Sequence, residues 1–184
     1  MRTLADISIE NKTVALRADL NVPIERGIIL DDARILAVMP TVEYLLSKNC
    51  KIIMLSHFGR PKAGNIDPQF SLEPVVKKIS ELLNFEVTLV PSIEEVSFET
   101  KISVLENTRF LIGELENNID LSLRLGAMAE VYVFDAFGTS HREQASTFGA
   151  IRNANISCAG FLLEQEVEAL SRATQSNKKP LLSI

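Results

Sequence analysis

The chain has 184 residues, enough for one sizeable α/β domain and too few for two well-packed ones. Apolar residues make up 46% and charged residues 23%, with no low-complexity tract, so a soluble globular chain is expected. The formal net charge of −5 excludes the electrostatic footprint of a nucleic-acid or anionic-membrane binder, so any arginines that attract a ligand must be gathered locally.

Cys50 and Cys158 are the only cysteines and form no C-x-x-C pair, which fits buried thiols in a reducing compartment. The N-terminus lacks an apolar leader, and no apolar run approaches the ~20 residues that span a bilayer. The expected location is cytoplasmic.

Thr13 to Leu16 reads as a buried strand that gives out at Arg17-Ala18-Asp19-Leu20-Asn21-Val22-Pro23. Gly27 and Ile28 to Leu30 suggest a small turn or edge segment. Asp31 and Asp32 offer N-cap carboxylates to a helix carrying Ile35, Leu36, Val42, Leu45 and Leu46, with Pro40 expected to bend it or mark its true first turn. Ile52 to Leu55 form an uninterrupted apolar run, the pattern of a strand covered on both faces. It stops at Ser56-His57, and Gly59 and Pro61 force a tight exit that also carries Arg60.

Lys62 to Phe70 is polar, with Gly64 and Pro68, and reads as a loop. Glu73 to Asn84 has helical spacing, and Val87 to Val90 reads as a strand. Ser92-Ile93-Glu94-Glu95 has capping-box spacing into a short helix. Ile102 to Leu105 is a strand ending at Glu106-Asn107-Thr108-Arg109-Phe110, and Leu121 to Ala129 is helical. Val131 to Phe134 is the next strand, followed by Asp135-Ala136-Phe137-Gly138-Thr139-Ser140-His141-Arg142. A final helix runs from Leu162 to about Ala173, and Lys179 to Ile184 resembles the start of another buried strand. Alternating strands and helices predict a Rossmann-like, three-layer α/β domain, its mainly parallel twisted sheet covered by helices on both faces.

Four strand ends carry Arg17/Asp19/Asn21, His57/Arg60, Arg109 and His141/Arg142. Parallel strands bring all such ends to one edge, where open α/β sheets bind ligands. Arginine's planar fork holds phosphate or carboxylate bidentately, and clustered arginines repel one another without an anion between them. Asp19 and Asn21 suit a hydroxyl. The composite fits a small phosphorylated hydroxy-acid.

Any one of these arginines, taken singly, is more often part of a surface ion pair. His57 equally fits a loop cap, and Asp135 is as suited to tying its turn as to touching ligand. Asp31-Asp32 and Glu94-Glu95 are better explained as caps than as metal ligands, since neither has a histidine at ligand spacing. No G-x-S-x-G occurs, no G-x-G pair, and no G-x-x-x-x-G-K-[ST], so hydrolase elbows and glycine-rich nucleotide cradles are absent from these residues.

Six segments in order, R-A-D-L-N-V-P (17–23), D-D-A-R-I (31–35), S-H-F-G-R-P (56–61), L-E-N-T-R-F (105–110), D-A-F-G-T-S-H-R (135–142) and A-G-F-L-L-E-Q-E (159–166), resemble the N-terminal half of phosphoglycerate kinase. One departure is Ala18, where the family usually has valine; this is a core change. The resemblance implies phosphoryl transfer between 1,3-bisphosphoglycerate and ADP, giving 3-phosphoglycerate and ATP, by a cytosolic glycolytic enzyme that is monomeric. It implies that Asp19 and Asn21 contact the hydroxyl and carboxyl end of the glycerate. His57, Arg60, Arg109 and Arg142 would hold the non-reacting phosphate, and Arg34 would be catalytic, neutralising the phosphoryl group in flight.

It further implies that residues 1–161 form the 3-phosphoglycerate-binding domain, 162–177 an interdomain helix, and 178–184 the first strand of a nucleotide domain. Mg-ADP or Mg-ATP would bind through that other domain, with no cofactor or metal on this chain. The chain is thus expected to be an excised domain or a truncated one, binding 3-phosphoglycerate without turnover. Residues 178–184 are expected to be disordered or borrowed by a neighbour, because an orphan apolar strand invites edge pairing. Two other classes stay open: a sensor that binds a phosphorylated metabolite without catalysis, and an interaction domain whose arginines are ordinary surface pairs.

Overall fold

The structure, a computed structural model, describes residues 1–175; the expectations for 178–184 lie outside them. β1 (Thr13–Ala18), β4 (Lys51–Leu55), β5 (Thr88–Val90), β6 (Ile102–Leu105), β7 (Val131–Asp135) and β8 (Ser157–Ala159) form one six-stranded sheet in the order β5-β6-β4-β1-β7-β8. Every pairing in it is parallel. From β1 the chain steps to β4 on one side, skips a position to the edge strand β5, comes back to fill the gap with β6, then crosses to β7 on the other side. The direction reverses at β1, so a crevice opens at its carboxyl end between neighbouring loops that diverge.

The parallel sheet is buried on both faces, which is why its strands read as continuous apolar runs. Alternate residues serve opposite faces. Val14, Leu16 and Ala18 of β1 join Ile52, Met54, Val104 and Val133 beneath α1 (Ala33–Ser47) and α2 (Glu73–Leu83). Ala15, Ile53, Leu55, Leu105 and Tyr132 pack on the other face with Leu121 and Leu125 of α3 (Ile119–Ala127) and Ala150 of α4 (Ala150–Asn153). A smaller cluster of Phe134, Ala136, Ala159 and Leu163 seats α5 (Phe161–Gln175). Ala18 is fully buried, as a core position should be.

Several local expectations need correction. Pro40 does not mark the first turn of α1: the helix begins at Ala33 and runs through it. Its ring lies on the exposed side, where solvent can satisfy the Leu36 carbonyl that lacks a partner. Only Asp31 caps the helix, accepting from the Ala33 amide at 2.9 Å, while Asp32 pairs with Lys78 at 2.8 Å. Ser92 bonds the Glu95 carboxylate at 3.0 Å, but only a single 3-10 turn, Ile93–Glu95, follows. The small turn or edge segment expected at residues 27–30 is present, as part of a hairpin of β2 (Ile24–Glu25) and β3 (Ile28–Ile29). Its two turn residues have φ of +51° at Arg26 and +78° at Gly27.

Three elements carried no readable sequence signal: β8, the π-turn Ala145–Gly149 and α4. Each is too short to display a period. Both cysteines are free and buried, and burial pushes the Cys158 thiol up to about 12, leaving it unreactive.

Candidate functional site

The loops leaving β1, β4 and β6 are joined by side-chain amides and hydroxyls. Ser56 Oγ accepts from the Leu20 amide at 2.9 Å, and Asn21 Oδ1 accepts from the Gly59 amide at 2.9 Å. Asn107, fully buried, accepts from the amides of Phe58 at 3.0 Å and Arg109 at 3.1 Å. It donates to the carbonyls of Phe58 at 2.7 Å and Phe70 at 2.9 Å. Gly59 sits at φ +57°, and a Cβ there would fall 2.3 Å from the Phe70 ring, so both its conformation and its neighbour require glycine. These bonds fix where the next basic side chains emerge.

Arg60, Arg109 and Arg142 line one cavity of about 480 Å³, together with Pro61, Leu115 and Gln144. They come from the exits of β4, β6 and β7, so residues more than eighty positions apart meet at one sheet edge. Arg109 donates through Nη1 to the Gly59 carbonyl, which orients its guanidinium. Its Nε is buried without a partner. Burial, then the neighbouring Arg142 and Arg60, push the Arg109 guanidinium below its ordinary range. Like charges held this closely favour an anion between them.

His57 is almost wholly buried beside this cluster. Desolvation first, then the charges of Arg17, Arg109, Arg142 and Arg34, push its imidazole down to about 3. The ring is therefore neutral at physiological pH and can donate only one N–H. Arg34, half-exposed near the start of α1, donates to Asp19 Oδ2 at 2.7 Å, so the two stand together at the rim. Asn21 and Asp19 are half-buried, and the Asn21 amide N–H returns to Asp19 Oδ1 at 3.2 Å.

Two sequence expectations change here, and one that the sequence left open is decided. Arg17 does not reach the cleft; it is fully buried beneath it, since the fifth residue of a central six-residue strand lies under the neighbouring loops. His141 is exposed and does not line the cavity, unlike its neighbour Arg142. Asp135 ties its turn: it accepts from the Thr41 hydroxyl at 2.6 Å and the Leu163 amide at 2.9 Å.

Sequence reasoning missed Asn107, Glu106, Glu114 and Ser146. The adjacent Glu106 and Asn107 could have been suspected, because two polar residues directly after a buried apolar run have backbone groups to satisfy. Glu106 does this for the amides of Leu72 at 2.9 Å and Asn107 at 2.8 Å. Glu114 and Ser146 lie in aperiodic stretches and carried no signal. Among the described residues no group of three or more His, Cys, Asp or Glu side chains is placed to hold a metal ion.

The family model of phosphoglycerate kinase matches residues 4–184. The chain is 44% identical over 182 residues to a phosphoglycerate kinase of Desulfovibrio desulfuricans, covering 98% of this chain and 47% of that one. It is 42% identical over 184 residues to one from Francisella tularensis, covering 99% and 47%. The solved phosphoglycerate kinase of Coxiella burnetii superposes with a TM-score of 0.92 at 41% identity, covering 97% of this chain and 46% of that one. The Pyrococcus horikoshii enzyme superposes with a TM-score of 0.85 at 34% identity, covering 98% and 47%. The chain thus spans about half the length of the curated relatives it matches. With a family model matched over residues 4–184, the chain belongs to the phosphoglycerate kinase family.

Proposed function

We propose that this chain is the glycerate-binding half of a phosphoglycerate kinase, holding 3-phosphoglycerate or 1,3-bisphosphoglycerate during phosphoryl exchange with ADP and ATP. The observation that carries the reading is the meeting of Arg60, Arg109 and Arg142 around one cavity, next to His57. Three guanidinium forks suit a phosphate that stays on the substrate throughout. Asp19 and Asn21 suit the hydroxyl and carboxyl end, and Arg34 at the rim suits the phosphoryl group being moved. Such a transfer has a loose transition state, catalysed mainly by positioning and by charge placed against the equatorial oxygens. No general base is required, and none of these residues is arranged as one.

Mg-nucleotide is assigned to the other domain of the parent, since these 184 residues carry no glycine-rich phosphate cradle motif. No step is assigned to a nucleotide site on this chain. Isolated, these 184 residues are expected to bind 3-phosphoglycerate without consuming ATP, in a monomeric, cytoplasmic parent.

Calorimetry tests the reading. Arg60→Ala and Arg142→Ala are each expected to weaken 3-phosphoglycerate binding by about 10- to 100-fold, the worth of a charge-assisted contact. Unchanged affinity in both variants would refute it. In the complete enzyme, Arg34→Ala is expected to lower kcat far more than it raises KM; a loss confined to KM would remove Arg34 from the transfer step.

A further inference from the structure

Arg17 lies beneath the cavity that Arg60, Arg109 and Arg142 line, and its contacts give it a different task. A guanidinium has five donors and no acceptor. Arg17 Nη2 lies 3.3 Å from His57 Nδ1, so that ring nitrogen must present its lone pair. The neutral imidazole then carries its proton on Nε2. An imidazolium would set two N–H groups against each other.

Arg17 is itself held in register. Its Nε donates to Ser146 Oγ at 2.9 Å, and Nη1 donates to the Ala18 carbonyl. Ser146 passes the interaction on, donating from Oγ to Glu114 Oε1 at 2.5 Å and from its amide to Oε2 at 2.9 Å. Tyr132 donates to the Ser146 carbonyl at 2.6 Å. All of these residues are buried. Glu114 supplies the opposite charge for Arg17, although burial pushes its carboxyl up while the Ser146 contacts and Arg17 pull it back. The direction of donation is fixed at every link, from Arg17 through Ser146 to Glu114 on one side and from Arg17 to His57 on the other.

His57 Nε2 has no partner among the described residues, and the charges of Arg109, Arg142 and Arg34 act on the ring. An uncharged donor suits this place, because a further cation would add to the repulsion among the arginines before any anion arrives. We propose that Arg17 is a positioning residue that locks His57 as the neutral Nε2–H tautomer, aligned to donate to the phosphate of a bound phosphorylated acid, with Glu114 holding Arg17 through Ser146. The lock deepens the substrate-site reading above and rests on it only for the identity of the acceptor.

Two-bond proton–nitrogen correlation spectra of the ligand-free, ¹⁵N-labelled chain at neutral pH read the tautomer directly. Wild type is expected to show a protonated Nε2 and a bare Nδ1 at His57. The Ser146→Ala and the Arg17→Gln/Glu114→Gln variants are expected to show mixed tautomers; the double change replaces two buried opposite charges, linked through Ser146, by neutral side chains, so that no lone charge is left to unfold the chain. A protonated Nδ1 in wild type overturns the proposal, as does an unchanged His57 spectrum in both variants. Calorimetry with 3-phosphoglycerate, in parallel, is expected to show about tenfold weaker binding in the variants with mixed tautomers. Failure of wild type to bind 3-phosphoglycerate would remove the substrate reading while leaving the tautomer lock standing. Full affinity with mixed tautomers would remove the positioning role while leaving the substrate site intact.

Discussion

His57 has lost nearly all contact with water, and four guanidinium groups act on what remains of its basicity. Its pKa is about 3 in the folded chain against an ordinary 6.5, so between those values the unfolded chain binds the extra proton. Stability from this residue is complete above pH 6.5 and is lost as pH falls toward 3. The span corresponds to about 5 kcal/mol, of which roughly 2–3 kcal/mol should be gone by about pH 4.5. Urea unfolding of wild type and His57→Asn at both ends of that window checks this. The variant should lose that part of the acid slope, and parallel slopes would contradict it. Arg109 illustrates the same physics with a cation that stays charged: its orphaned Nε and crowded neighbours make it a waiting anion contact.

Among the elements, β7 does two jobs at its carboxyl end. Its exit loop delivers Arg142, and its last residue, Asp135, anchors the first turn of α5. The Thr41 hydroxyl of α1 donates to Asp135 and accepts from the Phe161 amide at 3.1 Å, so α1, β7 and α5 meet at one buried carboxylate. Gly160 permits this approach, because a Cβ there would lie 2.3–2.6 Å from the carboxylate atoms. Gly160→Ala is therefore expected to destabilise the chain by about 1–3 kcal/mol through overpacking. Asp135→Ala is expected to cost about 1–3 kcal/mol by leaving the Leu163 amide unpaired. Hydrogen exchange at Phe161 and Leu163 should accelerate in both variants, and unchanged protection there would disprove the clamp. Asn107 plays the equivalent part for the cleft, and calorimetry of Asn107→Ala should show weaker 3-phosphoglycerate binding although Asn107 does not itself line the cavity.

At the scale of the molecule, a chain of net charge −5 concentrates Arg34, Arg60, Arg109 and Arg142 at one edge of its sheet. The attraction for a small anion should then be largely ionic. Raising ionic strength from about 0.05 M to about 0.5 M shortens the screening length severalfold and is expected to weaken 3-phosphoglycerate binding by about tenfold. Calorimetry across that series with a flat affinity would count against the cluster as the binding determinant. Both competing classes, a sensor and an interaction domain, are addressed by the same chain: the second predicts no binding at any salt concentration.

The apolar runs at β1, β4, β6 and β7 were legible because a parallel strand buried on both faces must be continuously apolar. Their abrupt polar ends told which residues would share an edge. What no linear pattern could state was depth. Arg17 and Arg109 look alike in sequence, yet one lies under the loops against Ser146 and Glu114 while the other lines the cavity. Sequence alone set the order of the strands' basic exits, since that follows from local periodicity. Only tertiary structure decided which exits converge and which arginine sits beneath them, because burial and charge compensation arise from contacts between segments that the chain keeps far apart.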